Sequence, residues 1–142
     1  MAKDEAYQRA EKKIEKALRT EATKLDLRVM GLTELPESLG RLTQLQELNL
    51  SGNQLTALPD SLGQLTQLHM LNVARNQLTA LPQSLGQLTQ LQTLYVHNNQ
   101  LTALPESLGQ LTQLQILDLG DSSGGNPLGA IPHCIRGCGK LS

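Results

Sequence analysis

The chain has 142 residues, 12 Lys/Arg against 13 Asp/Glu, a net charge of −1, and no Phe or Trp. That length fits one domain. The near-neutral charge gives no general pull toward nucleic acid or anionic lipid, and no apolar run is long enough to span a bilayer.

Charge is placed unevenly. Eight of the twelve basic residues lie within residues 1–28, and from Leu42 to Ile135 the only one is Arg75, against Glu47, Asp60, Glu106, Asp118 and Asp121. The opening "MAKDEAYQRAEKK" is charged and has no apolar h-region, so it does not read as a secretory signal. Within residues 1–21, Tyr7, Ala10, Ile14, Ala17 and Leu18 recur at helical spacing, with Arg9, Lys12, Lys13, Glu15, Lys16 and Arg19 on the other face. This pattern predicts an amphipathic helix of about 16–19 residues that caps whatever follows. Its apolar side is small and acids are interspersed, so no membrane partner is expected.

A repeat begins at Ala22. Leu45, Leu68, Leu91 and Leu114 open units 23 residues apart, giving 22–44, 45–67, 68–90, 91–113 and an irregular 114–142. Each reads L-x-x-L-x-L/V-x-x-N-x-L-T-x-L-P-x-S-L-G-x-L-T-Q, and Met30 holds the Asn position in the first. A period in the twenties with this pattern predicts an α/β solenoid, a leucine-rich repeat horseshoe segment. In "LQELNL", Leu48 and Leu50 point to one face of a short strand while Glu47 and Asn49 point to the other. Stacked units make a parallel sheet on the concave face, with irregular or 3-10 turns on the convex face. Asn53, Asn76, Asn99 and Asn126 are expected to form a structural ladder, because an amide supplies both donors and an acceptor to buried backbone groups. In the return segment "LPDSLGQL", Pro59 fixes one φ, Ser61 is expected to cap a short turn, and Gly63 to make a left-handed exit.

At the back, "GNPLGAIP" aligns with "GNQLTALP" if about four residues are inserted within "GDSSGG", which reads as a loop. Cys138 then falls at the Leu65 position, as a core residue, and Cys134 at the Ser61 position. Two cysteines four apart do not make a disulfide framework, and a reduced, cytoplasmic setting follows.

Motifs for chemistry fail one by one. "GCGKLS" lacks the Ser/Thr after the Lys of a phosphate-binding loop, because Leu141 stands there. His133, Cys134 and Cys138 are three metal ligands where structural zinc wants four. His69 and His97 have no nucleophile motif around them. No catalysis, cofactor or metal is expected, and without basic stripes or aromatic platforms nucleic acid is no partner either.

The repeats are nearly identical in their return segments and differ on the outward strand positions. The first such position holds Lys24, Glu47, Met70, Thr93 and Ile116, and the second Asp26, Asn49, Asn72, Tyr95 and Asp118. Just beyond come Arg28, Ser51, Ala74, His97 and Gly120, then Val29, Gly52, Arg75 and Asn98. Met70, Tyr95 and Ile116 are large apolar groups expected to be exposed, and Tyr, Met and Arg are favoured at protein interfaces. The candidate protein-binding surface is Met70, Asn72, Arg75, Tyr95 and His97, with Thr93, Ile116 and Asp118 at its edge and Arg75 as the cation facing Asp118.

In its "LPxSLGxLTQL" return segments the chain resembles the 23-residue leucine-rich repeats of bacterial and Ras-signalling type. With the lead-in "AEKKIEKALRTEATKLDL" it looks like the leucine-rich part of bacterial Roco-type proteins. That resemblance implies a protein-interaction module, and alternatively a regulatory segment of a larger Roco-like GTPase, although no GTPase motif lies in these residues. A third reading is a self-associating repeat protein that pairs through its C-terminal end.

Overall fold

The fold was obtained as a computed structural model, which describes residues 5–120, residue 126 and the backbone of 140–141. Helix α1 (Glu5–Thr20) precedes five three-residue strands: β1 (Lys24–Asp26), β2 (Glu47–Asn49), β3 (Met70–Asn72), β4 (Thr93–Tyr95) and β5 (Ile116–Asp118). A two-residue β6 (Lys140–Leu141) closes the order, and all six run parallel as β1-β2-β3-β4-β5-β6. Register is constant: Lys24, Glu47, Met70, Thr93 and Ile116 stand side by side, as do Asp26, Asn49, Asn72, Tyr95 and Asp118. The family-like repeat therefore becomes a capped solenoid with its strands on one side. The sixth strand was not legible in the sequence, where the last unit reads as one irregular stretch.

Leucine packs the interior. In the second unit Leu45, Leu48, Leu50, Leu55, Leu62 and Leu65 are fully buried, and the same positions are buried in the next. Each such side chain contributes about 1.5–3 kcal/mol of apolar burial. One unit alone leaves both its flanks open, so this gain exists only in the stack.

On the convex side each unit makes a short 3-10 turn: Glu37–Arg41, Asp60–Gln64, Gln83–Gln87 and Glu106–Gln110. Here two local expectations are corrected. Pro59, at φ −71, occupies the N-cap position with no side-chain cap bond, and the Ser61 hydroxyl is buried without a partner. Nor does Gly63 make a left-handed exit, since the positive-φ glycines among the described residues are Gly31, Gly52 and Gly120. Gly63 is there for space: a Cβ on it would stand 2.7 Å from the Ser84 carbonyl oxygen of the next unit. Gly86 meets Ser107 the same way, at 2.6 Å.

α1 covers the front. Ala10, Ile14 and Ala17 are buried against the first unit, and Lys13 Nζ donates to the Asp26 carbonyl at 2.9 Å, tying the helix to β1. Met30 is partly buried against the core. Helix α1, not another repeat, precedes this unit among the described residues, so an asparagine at position 30 would have no repeat backbone to bridge to, and an apolar side chain fits. Among the described residues no helix is long and apolar enough to cross a membrane.

Candidate protein-binding face

The ladder asparagines hold the turn that follows each strand. Asn53 accepts from the backbone N–H of Met30 and Leu32 at 2.9 and 3.0 Å and donates to the Leu27 and Leu50 carbonyls at 3.0 and 2.9 Å. Asn76 accepts from Leu55 at 3.1 Å and donates to Leu50 and Val73, both at 3.0 Å. Asn99 accepts from Leu78 and donates to Val73 and Val96, all at 3.0 Å. Asn126, four residues later in the sequence than the period would place it, accepts from Leu101 at 3.1 Å and donates to Val96 and Leu119 at 2.9 and 3.2 Å, while the expected loop within "GDSSGG" lies outside the described residues. Each amide thus joins its own unit to the one before.

The outward strand positions have local duties too. At the second position an Asx side chain accepts from the N–H two residues on: Arg28 to Asp26 at 3.1 Å, Ser51 to Asn49 at 3.0 Å, Ala74 to Asn72 at 3.0 Å and Gly120 to Asp118 at 2.9 Å. Such Asx turns steer the chain out of the strand. Tyr95 is the exception in this column. It has no oxygen that can reach its own backbone, and it puts a half-buried ring there instead. Asn72 and Asp118, placed in the candidate surface by their outward position, are therefore also turn-forming residues.

The next column carries backbone strain. Val29, Gly52, Arg75 and Asn98 have φ of 51°, 72°, 58° and 57°. Gly and Asn adopt this left-handed region readily, but other residues pay about 1–2 kcal/mol. Val29 is β-branched and the one large hydrophobic fully exposed among the described residues, at 76%. Gly52 and Asn98 at equivalent positions were the available signal, since both residue types mark a positive φ.

Met70, Thr93, Tyr95 and Ile116 lie on adjoining strands of one face, as their register requires. Met70, Tyr95 and Ile116 are half-buried rather than exposed, because side chains on strands about 4.8 Å apart shield one another. The partner of Asp118 is also corrected. His97, not Arg75, faces it, with Nδ1 3.2 Å from Oδ2 and both side chains about one-quarter exposed. This contact has the distance but not the angle of a hydrogen bond, and Nδ1 has no other partner. Arg75 is bound to its neighbour only through the backbone, its N–H donating to the His97 carbonyl at 2.9 Å. Its exposed guanidinium has no acidic partner among the described residues. Toward β1, by contrast, Lys24 pairs with Glu47 at 3.3 Å and Arg28 with Asp26 at 3.2 Å.

Among the described residues no group of three His, Cys, Asp or Glu side chains could hold a metal ion, and His133, Cys134 and Cys138 lie outside them. His97 and Asp118 are the described His–carboxylate contact, and no hydroxyl or thiol hydrogen-bonds to His97 among these residues.

The model for a leucine-rich repeat region matches residues 11–117. No curated protein matches the sequence. Among solved structures, a leucine-rich repeat protein of Leptospira interrogans is similar at 36% identity and a TM-score of 0.71, over 90% of this chain and 38% of its own. YopM of Yersinia enterocolitica is 34% identical with a TM-score of 0.73, over 88% of this chain and 25% of its own. An internalin of Listeria monocytogenes is 30% identical with a TM-score of 0.62, over 77% of this chain and 30% of its own. The chain thus spans well under half the length of each, and the finer likeness to Roco proteins rests on the sequence alone. Matched by the family model over most of its length, the chain belongs to the leucine-rich repeat family.

Proposed function

We propose that this chain is a non-catalytic protein-interaction module that holds a partner protein on its concave strand face around Tyr95. The observation that carries this reading is the break at Tyr95. Four of five units use Asx at that position to make the strand-exit turn, and one gives the turn bond up for an aromatic ring. Positions where a local rule is abandoned without local gain point to function. Met70, Thr93 and Ile116 adjoin the ring, and Arg75 and His97 border it. Membership of the leucine-rich repeat family supports the same reading. A reduced cytoplasmic setting is part of the proposal, from the cysteine count alone.

Capture from lysate of the source cell, with variants as controls, tests it. A central anchor is worth about 2 kcal/mol or more, roughly a 30-fold loss of affinity when truncated. Tyr95→Ala is expected to abolish capture and leave folding intact, while Gln64→Ala on the convex side leaves capture unchanged. If capture survives Tyr95→Ala and is lost in Gln64→Ala, the binding face is the convex one.

A further inference from the structure

The strand-exit column borders the concave face and has properties of its own. It runs Val29, Gly52, Arg75, Asn98 along the solenoid, with all four in the left-handed region. Gly52 and Asn98 suit that backbone, while Val29 and Arg75 are strained in it. Strained residues that local structure does not require cluster at binding sites. Both strained side chains also lack a use within the fold. Val29 is 76% exposed, and Arg75 is an exposed cation with no acidic partner among the described residues. Between them Gly52 has no side chain, and Val29 Cγ2 lies 3.0 Å from where a Gly52 Cβ would be.

We propose that this column is a docking edge for an extended acidic–apolar segment of a partner protein. An apolar side chain of the segment covers Val29, and a carboxylate three residues away pairs with Arg75. The inference rests on the reading of the chain as a protein-binding module, and adds the partner's chemistry. Charge selects the carboxylate: Arg75 is the uncompensated cation here, while the Lys24–Glu47 and Arg28–Asp26 pairs neutralise the face nearer β1. A guanidinium takes a carboxylate in a planar two-bond fork. Spacing sets the register. Val29 and Arg75 are two units apart, about 10 Å at about 4.8 Å per strand, and an extended segment covers about 10 Å in three residues.

A phage-displayed random peptide library panned on the purified protein tests this. Val29→Asn and Arg75→Asn are the informative variants, because Asn98 already occupies the column and both changes relieve strain, so lost binding cannot be lost folding. The expected selection is enriched in peptides with an Asp or Glu three residues from a large apolar residue. Each Asn variant should weaken selected peptides about tenfold or more, Arg75→Asn by loss of a charge-assisted contact and Val29→Asn by loss of apolar burial, and Arg75→Glu should turn the selection toward Lys and Arg. Selection without acidic enrichment, affinity untouched by both Asn variants, or no selection at all overturns the proposal. Peptides that depend on Tyr95 but on neither Val29 nor Arg75 overturn the docking edge and leave the concave module standing. Dependence on none of the three sinks both. Concentration-dependent mass in light scattering that Arg75→Asn abolishes would assign the edge to a second copy of this chain, against the proposal.

Discussion

A single side-chain oxygen separates most of the second strand column from Tyr95. In Asn72 that oxygen accepts the Ala74 N–H at 3.0 Å, and in Asp118 the Gly120 N–H at 2.9 Å. Tyr95→Asn restores such an acceptor below His97, whose N–H has none from Tyr95. A hydrogen bond of this kind nets about 0.5–1.5 kcal/mol. Tyr95→Asn is therefore expected to raise the denaturant midpoint while abolishing partner capture, a stability–function opposition that Tyr95→Ala does not show. A destabilised Tyr95→Asn would mean that the ring packs for the fold, and would remove the argument for function. These local duties were hidden in the sequence for a plain reason. An outward Asn looks like surface variation until the backbone two residues on is in place, and its bond is not a periodicity. The convex turn hid its chemistry in the same way, because the role of Gly63 lies in a contact with Ser84 of the next unit.

The elements were easier to read than their ends. Ala10, Ile14 and Ala17 set the buried face of α1 through spacing alone, and the sequence carries that spacing openly. How the helix stops is a matter of backbone. Glu21, at φ 53, stands in the left-handed position past the last turn. The Ala22 N–H donates to Ala17 O at 3.0 Å and the Glu21 N–H to Leu18 O at 3.4 Å, the two bonds of a Schellman motif. Glycine fills that position without the steric strain a Cβ brings. Glu21→Gly is thus expected to stabilise the protein by about 1 kcal/mol, read from urea melts with an unchanged m-value. The Glu21 side chain is exposed and makes no bond among the described residues that would offset the gain. A loss of stability would show that Gly loosens the junction between α1 and β1 more than it relieves the turn.

The whole molecule holds together by bonds that cross from unit to unit, and the ladder is where this can be measured. The 23-residue period made the solenoid legible, because every unit has the same packing task. What no period reveals is how much each rung carries. Asn76 shows it by its partners. Without its amide, the Leu50 carbonyl keeps Asn53, the Val73 carbonyl keeps Asn99 and the Ala74 carbonyl keeps the Gly52 N–H. Only the Leu55 N–H, buried and bonded to Asn76 Oδ1, is left with no partner. One orphaned donor costs about 1–3 kcal/mol and the three lost bonds to carbonyls that keep other partners add to it, so Asn76→Ala should destabilise by about 2–4 kcal/mol. In a chain of this size that lowers the thermal midpoint by roughly 10 °C. Nearest-neighbour stacking adds a shape to the expectation. Amide exchange should speed most at Leu55, Leu50 and Val73 and less in α1, which touches only the first unit. Uniform acceleration through α1 would mean that the array unfolds as one cooperative body, and an unchanged melting midpoint would mean that the turn satisfies its own backbone without the asparagine.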